Sequence, residues 1–172
     1  MRRRGCVAGT LLAALLLLTA CGSSFPADPQ GTLDRARGGT LRVGASINGD
    51  WVRIAGPASG EVRSGDVPAS DVQGKEAELV RDFAAQLGAE VEWVAGTEQV
   101  LADELKHGGL DLVIGGLDDK TPWVTHAGIT RPYAESRDDR GNLHKHVMLV
   151  PLGENAFLLE LDQFLMAAKE QK

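Results

Sequence analysis

The sequence predicts an α/β domain whose mostly parallel sheet carries helices on both faces. Short segments with the alternating apolar pattern of strands recur along the chain, and segments with the period of amphipathic helices lie between them. They follow one another in the order strand, helix, strand, helix, strand, which builds parallel sheets with right-handed crossovers. We assign one domain of this class to residues 39–172, a length that supports its own core.

A signal peptide is predicted before this domain. Residues 1–20, MRRRGCVAGTLLAALLLLTA, combine three arginines, an apolar stretch too short for a stable membrane span, and small residues. Cys21 follows, between Leu-Thr-Ala and Gly-Ser-Ser, which resembles the bacterial lipobox, where the cysteine becomes the first mature residue and carries lipid. We therefore predict a lipoprotein that acyl chains such as palmitate anchor to the bacterial cell membrane, facing the periplasm or the cell exterior. An ordinary signal peptide with a chance cysteine is the alternative.

Cysteine usage and charge exclude several kinds of site. Of the two cysteines, Cys6 lies in the segment to be removed, so we expect neither an intrachain disulfide nor a cysteine-based metal site. Residues 1–20 hold three arginines and no acidic residue, which leaves 15 basic against 24 acidic residues and a net charge of −9. This charge argues against binding of nucleic acid or anionic lipid through a basic surface. Membrane attachment then depends on the acyl chains.

The first elements of the chain follow from composition and alternation. Residues 21–38 begin with the lipidated cysteine and are rich in Gly, Pro, Ser and charge, so we predict a flexible tether. Thr40–Ser46, TLRVGAS, alternates as a first strand. A long span rich in Gly, Ser, Asp and Pro covers residues 47–74, in which GEVRSGD would suit a short hairpin.

Helices and strands then alternate. KEAELVRDFAAQLG has its apolar residues on one helical face, with acidic residues in the first turn and Gly88 as the stop. AEVEWVAG alternates as the second strand, and Thr97 can cap a second helix, EQVLADELKHG. LDLVIGG is nearly continuous apolar sequence, as expected for a strand covered on both faces. GITRPYAE and KHVMLVPLG are further strand candidates, and ENAFLLELDQFLMAAKEQK is predicted to be a C-terminal helix.

The candidate ligand site lies in the loops after the first and third strands. Ligands of open α/β sheets bind past the carboxyl ends of the strands, and a central first strand would place these loops across one crevice. Glycines would let a ligand approach backbone N–H groups, and tryptophans would offer flat apolar walls, although core packing explains a single tryptophan equally well. The candidate ligand-binding residues are Asp50, Trp51, Gly116, Asp118, Asp119, Thr121 and Trp123.

Several motifs in this order resemble a known family. LRVGAS, GKEAELVRDFAAQLGAEVEWV, LADELKHGGLDLVIGG and ITRPY together resemble the first lobe of the extracellular solute-binding proteins of family 3, which have the periplasmic-binding protein type 2 fold. The resemblance runs from Thr40 to Tyr133. It implies the substrate-binding component of an ABC transporter for small polar solutes, with a membrane permease as partner.

Two departures from the family pattern change the expected ligand. Asp118 stands where the family carries Thr or Ser, and Trp123 stands where it carries the arginine that clamps a ligand carboxylate, with Lys120 as the nearby cation. A neutral or cationic solute is therefore favoured over an amino-acid carboxylate, with tryptophans available for stacking or cation–π contact. Moreover, only Ser136–His144 separates RPYAE from the segment that resembles the end of the family's chain. We predict that the second lobe is absent and that ligand burial is partial.

Other functions remain open at this stage. The crevice could dock a partner protein, which would make the chain an interaction or accessory module. A dehydratase-like enzyme is less favoured, because Asp118, Asp119 and His126 are better explained as solvated loop residues than as acid and base. A metal site at His144 and His146 lacks an obvious third ligand, so an exposed polar face is favoured there. We predict neither catalytic residues nor a cofactor.

Overall fold

A six-stranded sheet forms the centre of the structure, which is a computed structural model that describes residues 26–55 and 65–170. The predicted signal peptide and the lipidation site at Cys21 lie outside the described residues, as does most of GEVRSGD. The strands are β1 (Thr40–Ala45), β2 (Arg53–Ile54), β3 (Gly65–Val67), β4 (Val72–Gln73), β5 (Glu90–Ala95), β6 (Leu112–Ile114), β7 (Gly128–Ile129), β8 (Ala134–Arg137), β9 (Leu143–His146) and β10 (Leu149–Val150). The α-helices are α1 (Thr32–Ala36), α2 (Lys75–Leu87), α3 (Glu98–Lys106) and α4 (Asn155–Glu170), and a 3-10 turn covers Pro122–Thr125.

The strand order places β1 at the centre, as the crevice prediction required. The sheet runs β3-β5-β1-β6-β10-β7, and β1 pairs in parallel with both β5 and β6. β3 adds an antiparallel strand at one edge, and β10 and then β7 add antiparallel strands at the other, while β2–β4 and β8–β9 form separate two-stranded sheets. The parallel core arises because α2 and α3 connect its strands as crossovers.

Helices cover both faces of the sheet, also as predicted. On one face, Phe83 of α2 and Phe157 of α4 are fully buried, with their ring centroids 5.9 Å apart. On the other face, Leu101 and Leu105 of α3 pack against β6 and β10. Local signals agree with this packing, since Gly88 ends α2 in the left-handed conformation and the Thr97 side chain caps α3 by accepting from the Val100 N–H at 3.4 Å.

The segment before β1 corrects one prediction. Residues 26–38 are not a free tether, because α1 buries Leu33 and Ala36 against the core. The Glu154 carboxylate accepts hydrogen bonds from the N–H groups of Gln30 at 2.9 Å and Thr32 at 3.0 Å. We call residues 26–38 the N-terminal strap. The folded part therefore includes residues 26–38 and does not begin at residue 39.

Two negative observations concern the described residues alone. None of their helices has the length and apolar character needed to cross a bilayer. No group of three or more His, Cys, Asp or Glu side chains among them is arranged to hold a metal ion.

Candidate functional site

The loops after β1 and β6 lie side by side, as predicted for a central first strand. The Ser46 N–H donates to the Ile114 carbonyl at 3.0 Å, and the Asn48 amide donates to the Gly115 carbonyl at 2.8 Å. Together with the start of α3, these loops form one surface past the carboxyl ends of the parallel strands. We call it the carboxyl edge and define it as residues 46–50, 96–100 and 115–125.

Gly116 lies under the Trp51 ring. Its φ is +61°, and a Cβ built there would lie 2.9 Å from the ring and 2.7 Å from the Asn48 amide nitrogen. Only glycine tolerates both this backbone conformation and this close approach. The N–H groups of Gly115 and Gly116 both donate to Glu76 at 2.8 Å. These groups are therefore already bonded within the protein and do not face a ligand.

Glu76 accepts hydrogen bonds from both sides of this site, although the sequence analysis identified it only as an acidic residue in the first turn of a helix. It is fully buried, and besides the two glycine N–H groups it accepts from the Tyr133 hydroxyl. Burial raises the pKa of Glu76, and the three donors oppose that shift because they favour the carboxylate. Burial and the adjacent Glu76 raise the pKa of Tyr133. An acidic residue two positions after Gly74, in GKEAEL, was the available signal for this role.

The β8–β9 hairpin occupies the place in the chain where the resemblance predicted a missing lobe. It packs on the carboxyl edge, where the Asp119 N–H donates to the Lys145 carbonyl at 2.9 Å and the Val147 N–H donates to the Leu117 carbonyl at 3.0 Å. The prediction that the second lobe is absent is confirmed, because residues 136–144 form only the hairpin. The hairpin covers part of the edge that such a lobe would face.

The two histidines of the hairpin do not form an exposed polar face. His146 is 4% exposed, and its ring stacks on Trp51 with centroids 3.8 Å apart. Its two ring nitrogens contact the Ser136 hydroxyl at 2.7 Å and the Gly116 carbonyl at 3.2 Å. Burial lowers the pKa of His146. The ring is therefore a packing element between the hairpin and the loop after β6.

Asp118 is held by the hairpin. Nδ1 of His144 lies 2.8 Å from its carboxylate, and Nε2 of His144 lies 3.6 Å from Asp138. Burial tends to raise the pKa of Asp118, but His144 and the Lys120 N–H outweigh it and lower that pKa. The bond to Asp118, with a smaller contribution from Asp138, raises the pKa of His144. Asp118 is thus committed to an internal ion pair.

The other predicted site residues are dispersed. Asp50 is exposed and pairs with Arg53 at 3.0 Å, and Asp119 is exposed. Thr121 is buried, and its hydroxyl has no hydrogen-bond partner among the described residues. Trp123 packs with the α3-side core and donates its indole N–H to Glu98 at 3.2 Å, whereas Trp51 packs with the opposite core. The tryptophans are therefore not two walls of one crevice.

Exposed apolar side chains at the carboxyl edge were missed by the sequence analysis. Ile47 follows β1, Val100 lies at the start of α3 after β5, and Val124 follows β6, and these are 46%, 41% and 46% exposed. Each of three adjacent strands thus contributes one exposed apolar residue to the same surface. Apolar residues gathered at one surface suggest contact with something else.

A separate concave site opens on the other side of Trp51. It is a cavity of about 400 Å³ between the start of α2, the end of α4 and the start of β8. We call it the Trp51 groove and define it by Trp51, Lys75, Leu79, Tyr133, Leu165 and Lys169. Of the predicted site residues, it includes Trp51 alone. A second cavity of about 370 Å³ lies at the β3–β5 edge, away from both surfaces.

Comparison with known proteins gives a fold. No family model matches the chain, and no curated relative was found. Domain 1 of TmArgBP, in its arginine-bound form, matches with a TM-score of 0.61 at 18% identity, over 78% of this chain and 97% of that chain. The L-cystine solute receptor of Neisseria gonorrhoeae, in its unliganded open conformation, matches at 0.57 and 11%, over 81% and 91%. An ancestral cyclohexadienyl dehydratase matches at 0.62 and 15%, over 86% and 93%.

These neighbours confirm the predicted architecture. The chain has the fold of a single periplasmic-binding type 2 lobe, with helices on both faces of a mostly parallel sheet and a C-terminal helix. Its neighbours in structure include solute-binding domains for arginine and cystine.

Proposed function

We propose that the protein is an extracytoplasmic solute-binding protein built on one lobe, anchored by lipid on Cys21. It would serve as the substrate-binding component of an ABC transporter for small polar solutes. The observation that carries this proposal is the match to domain 1 of TmArgBP, a lobe of the same fold with an arginine-bound structure. Loss of the second lobe is therefore compatible with binding in this fold. An ABC permease would be the membrane partner.

The solute would bind at the carboxyl edge and would be neutral or cationic. Asp119 is exposed there, and Glu98 and Asp118 bring two more carboxylates into the same surface. Lys120 is the only Lys or Arg between Gly115 and His126. An anionic solute would meet these carboxylates without a bidentate arginine partner.

A calorimetric screen tests this proposal. The Cys21→Ser protein is titrated with arginine, putrescine, choline and glutamate, and we expect a cationic member to bind more tightly than glutamate. Asp119→Asn should weaken that binding, whereas Asp66→Asn, at an exposed carboxylate on the distant strand β3, should not. If none of the four solutes gives a heat of binding, the proposed binding of a neutral or cationic solute at the carboxyl edge is contradicted.

An interaction module is the second candidate, and Ile47, Val100 and Val124 favour it. Three exposed apolar side chains could make the centre of an interface in which the partner takes the place of the missing lobe. A photocrosslinking residue at Val124 should then capture a membrane partner in intact cells. The same residue at Leu152, which is 54% exposed at the opposite end of the lobe, should not.

Enzymatic activity is not proposed. Asp118 pairs with His144, and His126 contacts the Thr125 hydroxyl at 2.9 Å. No hydrogen bond joins Asp118 or Asp119 to His126 among the residues that the structure covers.

A further inference from the structure

We propose that the Trp51 groove is a second binding site, separate from the carboxyl edge, and that it takes a small amphiphilic carboxylate. Such a ligand joins an aromatic ring or short alkyl chain to one negative charge. The proposal does not depend on solute binding at the edge, because the two surfaces share no charged residue.

The shape of the groove fits a small organic molecule. Its volume of about 400 Å³ falls in the range of ligand pockets. Leu79 of α2 and Leu165 of α4 supply its apolar floor, and Ala134 of β8 and Ala168 of α4 leave room above them. The half-buried Trp51 ring forms one wall. A purely polar ligand would leave this apolar lining uncovered, so the body of the ligand should be apolar.

The charged side chains of the groove favour a ligand with a negative charge. Lys75 lies at the first position of α2, with Nζ 5.0 Å from the centroid of the Trp51 ring, and Lys169 lies in the last turn of α4. Both are exposed, and neither has a carboxylate within 4.0 Å among the described residues. Glu135 is the one acidic residue that lines the groove. Two lysines against one acid, in a chain whose net charge is −6, mark this site as a local positive patch.

The remaining polar groups of the groove do not change this balance. The Tyr133 hydroxyl donates to the buried Glu76 behind it, so it does not offer its proton to a ligand. The Glu76 carboxylate is satisfied by that hydroxyl and by the two glycine N–H groups. The carboxylate of a ligand would therefore pair with the lysines at the rim, while its apolar body would lie on Trp51 and the two leucines.

A series of probes with the same body and different charge tests the proposal. The full chain carrying Cys21→Ser is titrated with 3-phenylpropionate, 3-phenylpropanamide and 3-phenylpropylammonium, followed by backbone amide NMR. We expect the carboxylate to bind about three- to thirtyfold more tightly than the amide, as two partly exposed ion pairs allow. The shifted amides should include those of Leu79, Ala134 and Ala168. Octanoate in a parallel titration distinguishes an alkyl from an aromatic ligand.

Two pairs of lysine substitutions test whether the lysines of the groove cause the preference for the carboxylate probe over the amide probe. Lys75→Gln with Lys169→Gln should bring the carboxylate to the affinity of the amide. Lys106→Gln with Lys145→Gln, which removes the same charge at exposed sites outside the groove, should leave the preference intact. The proposal is overturned if no probe binds, if the ammonium probe binds as well as the carboxylate, or if both double variants behave alike. Asp119→Asn should not affect this binding, so a failure here is distinct from a failure at the carboxyl edge.

Discussion

The carboxyl edge and the Trp51 groove lie on two sides of one tryptophan, and they are built in opposite ways. At the edge, polar residues are bonded to one another or to the hairpin, as Trp123 is to Glu98 and Asp118 is to His144. In the groove, residues from α2, β8 and α4 surround an open volume and leave two lysines without a carboxylate partner among the described residues. A polar cluster past a strand is thus not by itself an open site, since its groups can satisfy one another.

Glu76 joins the two surfaces, and its loss should have the largest effect. Glu76→Ala removes the acceptor for Gly115, Gly116 and Tyr133, and it leaves buried donors without partners. We expect the free energy of unfolding in urea to fall by about 3–5 kcal/mol. Glu78→Ala, two residues on and exposed, should change it by less than about 0.5 kcal/mol. Equal effects of the two variants would show that Glu76 is not the link.

Gly116→Ala tests whether the edge positions the wall of the groove. The substitution places a Cβ against Trp51 at a φ of +61°, so we expect a loss of about 2–4 kcal/mol of unfolding free energy. Gly141→Ala has a φ of +81° and no neighbour within 4 Å, so it should cost only about 1 kcal/mol. Trp51, which forms one wall of the groove, should also move, and the affinity for 3-phenylpropionate should then change. Matching losses for the two alanines would mean that Trp51 is not packed on Gly116.

The hairpin contact predicts a pH dependence at the edge. Because the folded-state pKa of His144 is raised, its contribution to stability is fully present below the unfolded value of 6.5 and is lost as pH rises through the folded value. The folded-state pKa of Asp118 is lowered, so its contribution to stability is fully present above the unfolded value of 3.8. That contribution is lost as pH falls through the lower folded value. His144→Asn should therefore destabilise the protein most near pH 5–6 and least near pH 8, as measured by urea unfolding at each pH.

His146 should show the opposite trend. Its lowered pKa means that protonation opposes folding as pH falls below 6.5. The charged side chains close to His146 are His144 and Asp118, so the His146→Gln variant should be compared with the His144→Asn, His146→Gln double variant.

For His144, an effect of His144→Asn on stability that stays the same from pH 5 to pH 8 would contradict the ion pair with Asp118.

The smallest effect is expected at Thr121, whose buried hydroxyl has no partner among the described residues. Thr121→Val replaces this hydroxyl with a methyl group of similar shape, so we expect stability to stay the same or rise by up to about 1 kcal/mol. Thr130 is equally buried, but its hydroxyl accepts from the Met148 N–H at 3.0 Å. Thr130→Val should cost about 1–2 kcal/mol in thermal or urea unfolding. A larger loss of stability for Thr121→Val than for Thr130→Val would indicate that the Thr121 hydroxyl does form a hydrogen bond.

The order of elements could be predicted from sequence, whereas the paths of the loops could not. Apolar periodicity located α2, α3 and α4, and the alternation of strands and helices predicted the parallel pairing of the central strands. The separation of Trp51 and Trp123 onto opposite faces depends on how each loop leaves its strand, which periodicity does not report. The N-terminal strap was missed because α1 has five residues and is capped by Glu154, 122 residues from Thr32. The Trp51 groove was missed because its lining comes from four separate segments of the chain.

The N-terminal strap also sets how the lobe would sit at a membrane. Four residues lie between Cys21 and Pro26, and five residue steps of at most 3.6 Å reach about 18 Å. If Cys21 is acylated as proposed, the connection between the anchor and the lobe would therefore be shorter than the tether over residues 21–38 that the sequence predicted. α4 begins beside the strap and runs 16 residues, about 24 Å, and Lys169 in its last turn lies at the Trp51 groove. The strap end of the lobe would then stay within about 18 Å of the anchored cysteine, and the Trp51 groove would lie at the other end of α4.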